Sequence, residues 1–235
     1  MAKHKQPVAV FDIDGTIFRS SLVIELIEEL LRSEKLPEHV KDEYIESRQR
    51  WLNREGSYEN YVQDVVAAFN KHTVGMEQRI VRDVAGEVIQ RMAKHTYRCT
   101  RQLIDELKAS HFLLAISGSP QEVVALFAQQ YGFDATSGKI STLENGKYTG
   151  EFQSAAKDKI LKQFMDDYGL TYENSVGVGD TESDSTFLEL VQRPIAFNPN
   201  RKLFVAAQRH GWEVIVERKD VIYELKKKDG TYVLG

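Results

Sequence analysis

The sequence predicts an α/β fold: a mainly parallel sheet with helices on its faces, an α-helical cap inserted after the first strand, and a C-terminal β-hairpin. Three observations predict it. Val8-Ala9-Val10-Phe11, Phe112-Leu113-Leu114-Ala115-Ile116 and the run from Ser175 to Gly179 are short segments suited to buried strands, and each stops at a polar turn. Stretches with apolar residues at helical spacing alternate with these runs, as a parallel sheet requires. One long helical stretch, about residues 20 to 95, breaks the alternation directly after the first strand.

Taken in order, Val8 to Phe11 is a first strand ended by Asp12-Ile13-Asp14-Gly15. Leu22 to Leu31 has helical periodicity, and further helices are expected at about 38 to 52, 58 to 70 and 77 to 94. A helix at about 100 to 110 precedes the second strand, Phe112 to Ile116, which ends in Ser117-Gly118-Ser119. Ser119-Pro120-Gln121-Glu122 has capping-box spacing with proline at the first helical position, so a helix is expected from there to Tyr131. Residues 133 to 152 read as a ribbon turning at Asn145-Gly146, and a helix follows at about 156 to 168. Ser175 to Gly179 is a third strand ending at Asp180, and strands near 194 to 197 and 213 to 217 alternate with helices. At the end, Lys226-Lys227-Lys228, Asp229-Gly230 and Thr231-Tyr232-Val233 read as a hairpin whose lysines discourage pairing at an edge strand. The arrangement is Rossmann-like, with a core of residues 1–19 and 96–235 and a cap of residues 20–95. Ligands of such sheets gather beyond the C-terminal ends of the strands, where the three polar turns fall.

Composition narrows the function classes. With 42% hydrophobic and 28% charged residues the chain is an ordinary globular protein. A net charge of -4, with both signs interspersed, gives no broad positive field for nucleic acid or anionic lipid. The single cysteine, Cys99, supports neither an internal disulfide nor a cysteine-rich metal site, which fits a reducing compartment. The apolar run before Asp12 is too short for a signal sequence or a membrane span, so a cytoplasmic location and no membrane partner are expected. The six histidines lack metal-ligand spacing and receive no role.

The polar turns carry the chemistry. Asp12 and Asp14 follow a buried strand with Gly15 permitting a tight turn, so both acids face one site. Asp180 and Asp184 add acids at another strand end, and carboxylates meeting there repel unless a cation joins them. Oxygen donors alone suit a hard ion, and magnesium combines carboxylates, water and phosphate. Ser117 and Gly118 offer a hydroxyl and backbone N–H groups to a phosphate, and a lysine at the next helix start neutralises another oxygen.

These residues resemble the haloacid dehalogenase superfamily of phosphohydrolases, through Asp12-x-Asp14-Gly15-Thr16, Ser117, the lysine of Ala156-Lys157-Asp158-Lys159, and Gly179-Asp180 through Asp184. The helical insertion, Ile195-Ala196-Phe197-Asn198-Pro199 and Gly211-Trp212 resemble its phosphoserine-phosphatase-like branch. The resemblance implies that Asp12 attacks a phosphomonoester to form an aspartyl phosphate, which water then hydrolyses, with Asp14 serving as acid and then base. It implies magnesium held by the Asp12 side chain, the Asp14 backbone carbonyl and the Asp180 side chain, with Asp184 supporting the metal's waters. Ser117 and the motif lysine bind phosphate. Of Lys157 and Lys159, the resemblance implies Lys157, because Ala-Lys-x-x-Ile-Leu matches the family's spacing better.

Phosphoserine phosphatases carry a glutamate where this chain has Ser21, and Glu25, one helical turn on, is a weak replacement. The substrate expected is therefore a small phosphorylated metabolite other than phosphoserine. The cap segment Arg48 to Arg54 with Tyr58 and Tyr61 reads as a solvated helix face in preference to an anionic or aromatic pocket. Asp14 and Asp180 speak against carbon–halogen hydrolysis. A phosphotransferase or phosphomutase shares the aspartyl phosphate, and a non-catalytic phospho-binding scaffold is the alternative outside enzymes.

Overall fold

The computed structural model describes residues 5–153, 155–228 and 230–235; His4 and Asp229, the latter expected in the hairpin turn, lie outside them. β1 (Pro7–Phe11) is followed by α1 (Leu22–Arg32), a 3-10 segment at Glu38–Glu43, α2 (Ile45–Leu52), α3 (Tyr58–His72), α4 (Gln78–Met92) and α5 (Arg98–Leu107). Next come β2 (Phe112–Pro120), α6 (Gln121–Tyr131), β3 (Ala135–Glu144), β4 (Lys147–Gln153), α7 (Lys157–Tyr168) and β5 (Thr171–Gly179). A 3-10 turn at Glu182–Asp184 precedes α8 (Ser185–Leu188), β6 (Arg193–Phe197), α9 (Arg201–His210), β7 (Glu213–Arg218), β8 (Val221–Lys228) and β9 (Thr231–Leu234).

The nine strands form one sheet in the order β4-β3-β2-β1-β5-β6-β7-β8-β9. From β3 to β7 the pairs are parallel, and β4, β8 and β9 are added antiparallel. The chain winds outward from β1 through β2 to β3 and then restarts on the other side of β1 with β5. The strand order therefore reverses between β1 and β5, the place where open α/β sheets bind ligands.

Alternation along β1 explains the two layers. Val8 and Val10 face a cluster built with Leu161, Met165, Phe187 and Leu203 of the later helices. Ala9 and Phe11 face the other cluster, which continues without a break into Leu26, Leu30, Val65, Phe69, Val81 and Val88 of the helical excursion. In α1, α3 and α4 the buried residues recur three or four positions apart, whereas α2 buries none. The excursion leaves and returns on paired backbone: Arg19 N–H donates to His95 O and Tyr97 N–H to Ile17 O, both at 2.9 Å. The loop before α4 is tied to the β3–β4 ribbon by Gly75 N–H to Tyr148 O at 2.8 Å and Tyr148 N–H to Met76 O at 3.0 Å.

Three local expectations are corrected. The helix expected at 38 to 52 is a 3-10 segment followed by a separate helix, because the chain breaks regular geometry at Tyr44, whose buried side chain hydrogen-bonds Glu28 at 3.0 Å. Ser119 does not cap α6. It is the penultimate residue of β2, Pro120 takes the cap position without a side-chain bond, and the Ser119 hydroxyl is directed to Asp14 instead. The lysines 226–228 are solvated but do not lie on an edge, because β8 pairs with β7 on one side and with β9 on the other.

Candidate active site

Asp12 and Asp14 directly follow the end of β1 at the reversal of strand order. Asp12 N–H still bonds to Val178 O of β5 at 2.9 Å, so the residue is held as a continuation of the strand. The chain then turns tightly at Gly15, whose φ is +81°. A Cβ there would stand 2.2 Å from an Asp180 oxygen, so the turn requires glycine both for its conformation and for the approach of the third acid. Thr16, fully buried, donates from its hydroxyl to Asp180 at 3.3 Å and joins the two turns.

Asp180 and Asp184 are brought together by a short capped turn. Asp184 Oδ2 accepts the N–H groups of Asp180 and Thr181 at 3.0 and 2.9 Å, a capping arrangement that leaves Oδ1 directed at the site. Gly179 is needed here, because a Cβ would lie 2.4 Å from that of Asp184. Lys157, at the start of α7, reaches in and donates to Asp12 Oδ1 and Asp184 Oδ1, each at 2.5 Å. Lys159 is exposed to solvent. The ammonium is the compensating charge for two buried carboxylates and is held far above its ordinary pKa by Asp12 and then Asp184, burial opposing them.

Ligand oxygens of Asp12, Asp180 and Asp184 lie within 4.8 Å of one another. Asp12 Oδ2 is buried without a hydrogen-bond partner among the described residues. A buried all-oxygen donor set with an orphaned carboxylate atom fits a hard divalent cation. Burial, opposed by Lys157 and reinforced by Asp184 and Asp14, pushes Asp12 up from 3.8 to about 8, and Asp180 is raised for the same leading reason. Such a cluster stores the charge repulsion that a cation relieves.

The Asp14 carboxylate points elsewhere. It accepts from Leu22 N–H at 2.5 Å, from Ser117 Oγ at 2.7 Å and from Ser119 Oγ at 2.8 Å. Burial raises its pKa against these bonds, the condition for an acid that keeps a proton. Ser117 is therefore at the site, bonded to Asp14, while Gly118 beside it is exposed and contributes backbone only. Ser21 is buried at the start of α1, and Glu25 accepts from Ser20 at 3.1 Å.

Sequence reasoning misplaced three residues here. Ser119 was hidden by its capping-box spacing, although two serines at alternate positions on a strand point to the same side and mark the pair. Tyr58 and Tyr61 do not form the solvated helix face expected of them: Tyr61 is 5% exposed, and the Tyr58 ring packs 5.2 Å from Trp51 and 6.2 Å from Tyr61.

A sheet with acids at its reversal point, a lysine across from them and helices inserted after β1 defines a hydrolase-type α/β fold. The chain belongs to the haloacid dehalogenase-like hydrolase family, whose model matches residues 9–189. It is similar to the phosphoserine phosphatase of Methanocaldococcus jannaschii, 24% identical over 95% of this chain and 98% of that one. It also resembles a phosphoserine phosphatase of Mycobacterium tuberculosis, 24% identical over 88% of this chain and 69% of that one. A histidinol-phosphatase of Neisseria meningitidis is 23% identical over 88% of this chain and 97% of that one. Among solved structures, a Bordetella pertussis protein of unknown function superposes with a TM-score of 0.70 at 20% identity, over 90% of this chain and 98% of that one. A phosphoserine phosphatase in the form of a phospho-aspartyl intermediate analogue superposes with a TM-score of 0.62 at 19% identity, over 92% and 96%. These likenesses show the shared fold. Among the described residues no helix is long and apolar enough to cross a membrane.

Proposed function

We propose that the chain is a magnesium-dependent phosphatase that hydrolyses a small phosphomonoester through an aspartyl phosphate on Asp12. The observation that carries this reading is the placement of Asp12, buried and bonded to Lys157, beside a separately held and protonatable Asp14. In the first step an Asp12 oxygen forms a bond to phosphorus and the ester P–O bond breaks. Asp14 gives its proton to the departing alcohol oxygen, held in orientation by Ser117, Ser119 and the Leu22 N–H. In the second step Asp14, now a carboxylate, takes a proton from water as the water oxygen bonds to phosphorus. The bond from phosphorus to Asp12 breaks and inorganic phosphate leaves.

Lys157 sets positive charge beside Asp12 where the phosphate oxygens arrive, and Ser117 with the Gly118 N–H supplies donors opposite. Asp12 and Asp180 side chains with the Asp14 carbonyl would hold magnesium, supported by Asp184, and the ion would supply charge against the phosphate oxygens. Residues 20–95 act as a cap over a core of 1–19 and 96–235. Ser21, in place of an acid, disfavours phosphoserine itself even though several relatives carry that activity in their names.

Phosphate release from a panel of small esters, with and without magnesium, tests the reading. Wild type releases phosphate only with the ion, and Asp12→Asn lowers kcat by about a thousandfold or more. An Asp12→Asn variant that retains wild-type turnover removes the proposal.

A further inference from the structure

Asp14 is held from two sides by segments far apart in the chain. On one side is the start of α1. The first N–H groups of a helix lack partners within it, and Ser21, at the cap position, gives them no side-chain bond. Leu22 N–H goes instead to Asp14 Oδ1 at 2.5 Å, and Val23 N–H to the Ser119 hydroxyl oxygen at 3.1 Å. On the other side is the end of β2, where Ser117 and Ser119 both donate to Asp14 Oδ2, at 2.7 and 2.8 Å. Ser119 N–H closes the group by donating to the Ser117 oxygen at 2.9 Å. Both serines are buried.

A serine hydroxyl has one proton to give, and each carboxylate oxygen has two lone pairs to receive protons. The two lone pairs of Oδ2 are filled by the two hydroxyls. Oδ1 takes a single N–H, and among the described residues no other donor reaches it, so one of its lone pairs stays open. A proton placed on Oδ2 would force Ser117 or Ser119 to turn its own proton away, and each of those oxygens already accepts a backbone N–H. A proton placed on Oδ1 displaces nothing.

We propose that Ser119 is a positioning residue for the reacting acid: it fills Oδ2 while it anchors Val23, and so leaves Oδ1 as the oxygen of Asp14 that hands the proton to the leaving group. This deepens the phosphatase reading above and rests on it. As an Asp12 oxygen bonds to phosphorus, the electron pair of the breaking P–O bond goes to the ester oxygen, which takes the proton from Oδ1. An aliphatic alcohol oxygen needs that proton to depart, whereas 4-nitrophenol leaves as a stabilised anion. The two kinds of ester therefore separate placement of the acid from every other property of the site.

The test compares kcat/KM, with magnesium, for glycerol 2-phosphate and 4-nitrophenyl phosphate on wild type, Ser119→Ala, Ser119→Cys, Asp14→Asn and the double variant Asp14→Asn with Ser119→Ala. Loss of the hydroxyl opens Oδ2 to the proton and frees the carboxyl group to turn, so Ser119→Ala should lower the glycerol-to-nitrophenyl ratio by about five- to thirtyfold. Ser119→Cys keeps the volume with a weaker donor, so its ratio should fall between alanine and wild type, and it supplies the comparison if the alanine chain does not fold. With Asp14→Asn already in place, Ser119→Ala should shift the ratio by less than about twofold further, because the two residues act as one unit. Equal losses on both esters in the Ser119 variants, an unchanged ratio, or a full further drop in the double variant overturns the inference and leaves the phosphatase reading standing. No phosphate release by wild type from either ester strikes at the phosphatase reading and removes the inference with it.

Discussion

The turn after β1 and the segment from α2 to the start of α3 are held in opposite ways. Around Asp12 and Asp14 each carboxylate has named partners from distant parts of the chain: Lys157 from α7, Ser117 and Ser119 from β2, and Leu22 from α1. α2 buries no residue, and Leu52 at its end is 56% exposed. Tyr58 is placed by rings alone on its flanks. A displacement of one partner in the first region disturbs several buried charges, whereas the second can change side chains with little effect on its surroundings. The turn that carries the candidate catalytic acids is tied into the sheet, whereas the α2 segment is held mainly by ring contacts.

Substitutions break that comparison in order of size. Asp14→Asn keeps shape and removes the transferable proton, and it should lower kcat by about a hundredfold to ten-thousandfold in steady-state phosphate release. A loss confined to KM would show that Asp14 only positions substrate. Lys157→Met leaves Asp12 and Asp184 buried without their ammonium and should cost about 3–5 kcal/mol of stability in urea unfolding without divalent cation. Added magnesium should recover part of that loss; an unchanged urea midpoint in the cation-free variant would mean the ion pairs are not what holds the site.

A pH series sharpens the same point. Asp12 is raised in the folded chain from 3.8 to about 8, so between those values the folded state retains a proton that the unfolded state has released. Stability contributed by this group therefore falls as pH rises through that window. Cation-free wild type should lose melting temperature from about pH 4 to 8 relative to Asp12→Asn, whose side chain does not titrate. Parallel curves for the two proteins would contradict the buried-charge account. The smallest effect belongs to the other region: Leu52→Ser should change stability by less than about 0.5 kcal/mol in the same urea experiment. A larger loss would show that α2 is packed more firmly than its exposure indicates.

Much of this was legible locally. Strand runs ending at Asp12, Ser117 and Asp180 are visible because a buried parallel strand needs continuous apolar residues and cannot continue through carboxylates. The helical excursion showed in the spacing of Leu22 to Leu31 and the stretches after it, since burial of one helix face repeats every three or four residues. The Asn145-Gly146 ribbon showed in its turn residues; both adopt positive φ. The Lys226 to Lys228 run misled, because lysines discourage edge pairing only on average and the sequence does not say which strand of a hairpin joins the sheet.

By itself, then, the sequence determined the alternation of strands and helices, the long helical insertion and the strand-end positions of the acids, all of which follow from short-range periodicity and turn chemistry. Tertiary structure decided which side chains meet. That Asp184 joins Asp12 and Asp180 depends on a capped turn, that Ser119 serves Asp14 depends on β2 running as far as Pro120, and that Tyr58 is part of an aromatic stack depends on how α3 packs against Trp51. Those contacts join residues tens of positions apart, and their geometry is set by sheet register and helix packing, which no local pattern encodes.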